Sequence, residues 1–158
     1  MSNKSAPLAA KPQTSAEVSE ALQSALADLI ALSFHAKQAH WTVTGPLFRP
    51  LHELFDEIAE SARGWYDDVA ERLLALGVAA DGRLSTVAKT AGIQDHPAGR
   101  LEDRRTVELG LERVERVAAG IRAKLPRVGE SDLVTQDMLI GIVEGLEKQA
   151  WMLRAQRS

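Results

Sequence analysis

The chain has 158 residues, 45% of them hydrophobic, which is enough for one domain with a real core and too few for two comfortable ones. With 19 basic and 22 acidic residues the net charge is -3, which excludes a surface built throughout for nucleic acid and confines any basic patch to one place. The absence of cysteine excludes disulfide scaffolds, thiolate zinc sites and iron–sulfur clusters, so any metal chemistry must use nitrogen and oxygen donors.

Residues 1–13 contain Lys4, Pro7, Lys11 and Pro12 without periodicity and read as a flexible tail ahead of one domain at 14–158. The tail lacks the apolar run of a secretory leader, and no later window approaches the ~18 uninterrupted apolar residues of a membrane span. The expectation is a soluble, cytoplasmic protein with no membrane partner.

TSAE at Thr14 to Glu17 offers a capping box with Thr14 as N-cap. Val18, Leu22, Ala25, Leu29, Leu32, Ala36 and Val43 follow at mostly helical spacing, which predicts a first helix ending near Gly45 and Pro46. Pro50 suits the first turn of a second helix, whose stripe is Leu54, Phe55, Ile58, Ala62, Trp65, Val69, Leu73 and Leu76, with Gly77 as its stop. The next connection is long, with LSTVAKTA able to form a short helix across its middle, and its length lets it join two helices that run parallel.

Val107, Leu111, Val114, Ala118, Ile121 and Leu125 mark a third helix that Pro126 and Gly129 are expected to terminate. A fourth starts near Ser131 with Leu139, Ile142, Val143, Leu146, Ala150 and Leu153 as its stripe. Gly141 and Gly145 lie one turn apart in it, and close packing against a neighbour is the expected reason. Four long amphipathic helices, a long crossover and no strand signal predict an all-α four-helix bundle.

Three of the four histidines fall in the first two helices. At ~100° per residue, taking His52 as zero puts Asp56 near 40°, Asp67 near 60° and Glu71 near 100°. The apolar stripe of that helix centres roughly opposite, near 260°, so these four face away from the bundle core. An antiparallel hairpin brings His40 close to His52 and Asp56. Asp67 and Glu71 lie ~22 to 28 Å further along the axis, too far to share a metal with them. One chain therefore carries two half-sites, and a two-fold axis that pairs this helix antiparallel with its copy would complete two centres per dimer. Two imidazoles and three carboxylates suit iron(II) and also admit zinc, manganese or cobalt. Taken singly, Asp67 with Glu71 is an ordinary solvated pair, His52 with Asp56 a surface ion pair, and His40 a core histidine.

KQAHW at Lys37 to Trp41, GPLF at Gly45 to Phe48, LHELFDE at Leu51 to Glu57 and DDVAERLLALG at Asp67 to Gly77 resemble the Dps family, the ferritin-like miniferritins named as DNA-binding proteins of starved cells. The resemblance implies a four-helix bundle with a short extra helix in the second connection, assembled as a hollow homododecamer. It also implies ferroxidase centres at two-fold interfaces, with His40, His52 and Asp56 from one subunit and Asp67 and Glu71 from the other. The implied reaction oxidises iron(II), by preference with hydrogen peroxide and otherwise with dioxygen, stores the ferric mineral in the cavity and so protects DNA from oxidative damage.

Trp41 matches the family's tryptophan beside the centre, as a quencher of stray oxidising equivalents or a bulky packing residue. Glu130, Asp132 and Asp137 resemble the carboxylates of three-fold pores, where they would attract iron(II). DNA binding, nucleoid association included, would rest on Lys4 and Lys11 of the tail and on Arg154 and Arg157. The alternative reading is accordingly a nucleoid-compacting protein whose metal site is secondary. Ordinary ferritins and bacterioferritins match less well, since no Glu stands three residues before any histidine. His35 and His96 have no role in the resemblance and read as structural or exposed.

Overall fold

The stripe that begins at Val18 runs through one helix, α1 (Ala16–Thr42), in the computed structural model, which describes residues 14–157. Its N-cap is Ser15 rather than Thr14: the Ser15 hydroxyl accepts from the Val18 N–H at 3.3 Å. Thr14 instead donates to the Leu76 carbonyl, 62 residues away, and ties the start of α1 to the end of the second helix. α1 also stops earlier than the stripe suggests. Val43 and Thr44 form a short strand, β1, which pairs in parallel with β2 (Leu101–Glu102). Val43 is buried there as part of this seam, so its place in the helical spacing was coincidental.

A turn at 45–47 reverses the chain into α2 (Phe48–Ala75), with Pro50 in its first turn. Gly45 has φ +117, and a Cβ there would lie 2.7 Å from Asp103 Oδ2. That carboxylate accepts from the Leu47 N–H at 3.0 Å and the Arg104 N–H at 2.7 Å, so it holds together the starts of α2 and of α4 (Asp103–Arg122). With their N-termini side by side, α2 and α4 run parallel, as the long connection allows. α2 ends in a Schellman motif: the Gly77 N–H reaches Leu74 O, the Val78 N–H reaches Leu73 O, and Gly77 supplies φ +79.

LSTVAKT of the crossover forms α3 (Leu84–Thr90), as expected. Arg113, buried in α4, pins the rest of the connection by donating to Gln94 O and Asp95 O at 3.2 and 2.9 Å, while its Nη1 stays on Leu109 O of its own helix.

The segment read as a terminator is itself a helix, α5 (Leu125–Ser131), ahead of α6 (Leu133–Ala155). Pro126 stands at its second position, where the missing N–H has no helical partner to lose. Gly129 is a packing residue, since a Cβ would sit 2.1 Å from the Gln136 amide. Gly145 fits the close-packing expectation, because a Cβ there would lie 2.4 Å from the Trp65 ring, whereas Gly141 has nothing within 4 Å among the described residues. The sequence-derived stripes are buried between α1, α2, α4 and α6 except for the partly buried Trp65 and Leu125, with Phe55, Leu22, Leu29, Leu73, Leu146 and Leu153 among the largest enclosed side chains. The architecture is the all-α four-helix bundle with an extra helix in the crossover, to which the structure adds α5 and the two-residue parallel seam. No described helix is long and apolar enough to cross a membrane.

Candidate metal centre

The hairpin between α1 and α2 brings His40 and His52 face to face, with ring centroids 3.6 Å apart and planes within 17° of parallel. Each ring is fixed by the other residue's backbone: His40 Nδ1 lies 2.7 Å from His52 O, and His52 Nδ1 lies 2.7 Å from His40 O. A carbonyl oxygen can only accept, so both Nδ1 atoms carry the proton, and in the neutral rings both Nε2 atoms keep a lone pair. The His40 carbonyl is one of the last four of α1, which lack ordinary helical partners, and the imidazole of His52 satisfies it. Outer hydrogen bonds of this kind orient metal-binding histidines. Both rings are half-buried, so His40 is not a core histidine. Phe48 packs at a tilt on His52, with ring centroids 5.2 Å apart.

Asp56, one turn beyond His52, does not pair with it. Its carboxylate is bonded to Lys37 Nζ, reaching over from α1. The hydrogen bond from the Lys37 ammonium, which outweighs the opposing effect of desolvation, holds the Asp56 carboxyl below its ordinary range, and it is ionised at neutral pH. The spacing of Asp56 from His52 gave no hint of Lys37, although Lys37 stands one turn before His40.

Asp67 and Glu71 are exposed on the distal half of α2, 15 and 19 residues past His52 and so about 22 to 28 Å along the axis. Among the described residues no group of three or more His, Asp or Glu of one chain could hold a metal ion. Trp41 is 66% exposed beside His40 and lines a groove with Phe34 and Leu84.

The other sequence candidates lie elsewhere. Asp132 is the N-cap of α6: it accepts from the Thr135 N–H at 3.0 Å, the Thr135 hydroxyl at 2.6 Å and Arg72 Nη2 at 2.8 Å. Partial burial would raise its pKa, but these donors outweigh it and bring the group to about 2. Its charge is thus engaged inside the chain, as expected of ordinary acid at a helix start. Glu130 and Asp137 are exposed nearby. Arg154 is bonded to Glu115 of α4 at 2.6 Å, Arg157 is exposed, and Lys4 and Lys11 lie outside the described residues.

Comparison with known proteins gives concordant results. The profile of the ferritin-like domain matches residues 19–158. The DNA protection during starvation protein 2 of Deinococcus radiodurans is 35% identical over 136 residues, covering 86% of this chain and 56% of that protein. The chain thus spans little more than half the length of that relative. The protein of the same name from Bacillus anthracis is 33% identical, covering 88% of this chain and 95% of its own length. Among solved structures, Dps from Microbacterium arborescens in its high iron form superposes with a TM-score of 0.87 at 32% identity, over 94% of this chain and 97% of that one.

Proposed function

Since the chain belongs to the Dps family of ferritin-like proteins, we propose that it is an iron-detoxifying and iron-storing ferroxidase whose centres are completed between two copies. The observation that carries this reading is the pair of imidazoles locked through Nδ1, with both Nε2 lone pairs left for a metal beside an ionised Asp56. In the proposed dimer α2 packs antiparallel to its copy, so that His40, His52 and Asp56 of one subunit face Asp67 and Glu71 of the other.

Iron(II) is the substrate. Two ions each give up one electron, one peroxide takes both as its O–O bond breaks, and hydrolysis to ferric oxyhydroxide releases four protons. Pairing the electrons avoids release of hydroxyl radical, and dioxygen would serve as a slower oxidant. Carboxylates and neutral imidazoles hold iron(II) loosely and favour the iron(III) product, although zinc, manganese or cobalt suits the same donors. Lys37 occupies Oδ1 of Asp56, which leaves Oδ2 for a metal. Trp41 stands where stray oxidising equivalents would meet an aromatic ring.

The product mineral is proposed to collect inside a dodecameric shell entered past Glu130 and Asp137. Asp132 contributes less there, because Arg72 already neutralises it. The nucleoid-compacting alternative would rest on Arg157, the lysines of the tail and Arg154, which in this structure is paired with Glu115 at the surface. The test is rapid-mixing oxidation of iron(II) by hydrogen peroxide in the assembled protein and in His52→Ala/Asp56→Ala. Loss of the fast phase in a folded variant supports the reading, and a wild-type rate in that variant would refute it.

A further inference from the structure

Two histidines outside the proposed centre meet beside Arg113. His35 is buried on α1 and His96 is half-buried in the crossover connection, and both line a small cavity with Leu32, Phe55, Ile58 and Val114. His96 Nε2 is buried without a hydrogen-bond partner. The Arg113 guanidinium donates to the carbonyls of Gln94, Asp95 and Leu109, so it pins the connection; among the described residues no carboxylate is hydrogen-bonded to it, and Glu112 and Asp95 answer its charge only through space.

We propose that the segment Gln94 to His96 is an acid-released latch, held shut by Arg113 only while the two imidazoles beside it are neutral. Protonating either ring would place a second cation against a guanidinium that has little solvent around it. The charged groups acting on the cluster come from two elements. The connection gives Asp95, which opposes the effect for His35, and α4 gives Arg113, Arg105 and Glu112. α2 presents only Phe55 and Ile58 to the cavity. Burial first and Arg113 second lower His35 to about 4, and the same two causes lower His96.

An unfolded histidine takes its proton near pH ~6.5. These rings therefore favour the closed latch fully above that pH, and the advantage drains away as the pH falls toward the lowered folded values. The fold itself need not open, because Ile93 is the only buried residue of 91–100, whereas the long helices bury a whole stripe against one another. This inference does not depend on the metal centre.

Proteolysis of the assembled protein at the Asp95–His96 bond, with an acidic-residue-specific endopeptidase active at both about pH 7 and about pH 4.5, tests it, each rate divided by that of a free peptide of the same sequence. Relative cleavage at this bond should rise by about tenfold or more at the lower pH while α1 and α4 stay uncut. His35→Leu/His96→Gln, which cannot take up these protons, should show the same relative cleavage at both. Should that variant fail to fold, His96→Gln alone, at a partly exposed position, should show a smaller rise than wild type. Unchanged relative cleavage in wild type, an equal rise in wild type and variant, or simultaneous cleavage throughout the bundle would each overturn the latch.

Discussion

A centre divided between copies can be tested by crossing two inactive chains. His52→Ala removes an imidazole from one half-site, and Glu71→Ala removes a carboxylate from the other, about 28 Å away on the same helix. Glu71 is exposed, and His52 gives up one bond to the His40 carbonyl, so both variants should fold. In a symmetric dimer of two unlike chains, one centre combines both defects and the other combines two intact halves. Random pairing of equal amounts makes half the dimers mixed, so about a quarter of all centres are restored. The assay is the initial rate of peroxide-driven iron(II) oxidation per chain, in shells refolded from a mixture and shown to contain both variants. Each parent alone should be nearly inactive, and the mixed shells should reach about a quarter of the wild-type rate. Verified mixed shells without any recovery would refute the shared centre, as would a parent variant that kept full activity.

Further outcomes concern packing, charge and DNA. Gly145→Val should force the Trp65 ring out of place and cost about 1 to 3 kcal/mol in chemical denaturation, whereas Gly141→Ala, which meets nothing, should be neutral or slightly stabilising in the same measurement. Asp132→Ala should lower stability by about 1 kcal/mol or somewhat more through loss of the α6 cap, while Glu130→Gln/Asp137→Asn should leave the melting temperature unchanged and slow mineral growth only at low ionic strength; equal slowing at high salt would exclude electrostatic attraction. DNA retention, if the tail supplies it, should vanish with moderate salt and be insensitive to Arg154→Gln, because that side chain is already bonded to Glu115.

The parts of this fold legible in the sequence are those that repeat. The stripes of the four long helices recur every three or four residues because burial selects them one turn at a time, and they survive almost unchanged as the core. The separation of His52 from Glu71 was legible, because helix rise alone sets it. Interactions between elements were not. Nothing in the spacing of Asp56 announces Lys37, and nothing in Asp132 announces Arg72, 60 residues earlier. Pro126 and Gly129 misled for a related reason: both residues break helices on average, yet here one sits in a first turn and the other makes room for Gln136. The capping box pointed to Thr14, whereas the structure caps α1 with Ser15 and gives the Thr14 hydroxyl a tertiary partner in the Leu76 carbonyl, which local spacing does not show.

The parallel seam between β1 and β2 bears on the order in which the molecule takes shape. His40 and His52 stand only 12 positions apart in the chain, whereas the Thr44 hydroxyl finds the Leu101 carbonyl across 57. Closing the short loop costs less chain entropy, and contacts of low sequence separation form sooner. The hairpin can therefore shape its imidazole pair while the crossover still fluctuates. Docking of β2 then sets α4 beside α2, so the seam, small as it is, belongs to the contacts expected to form after the hairpin.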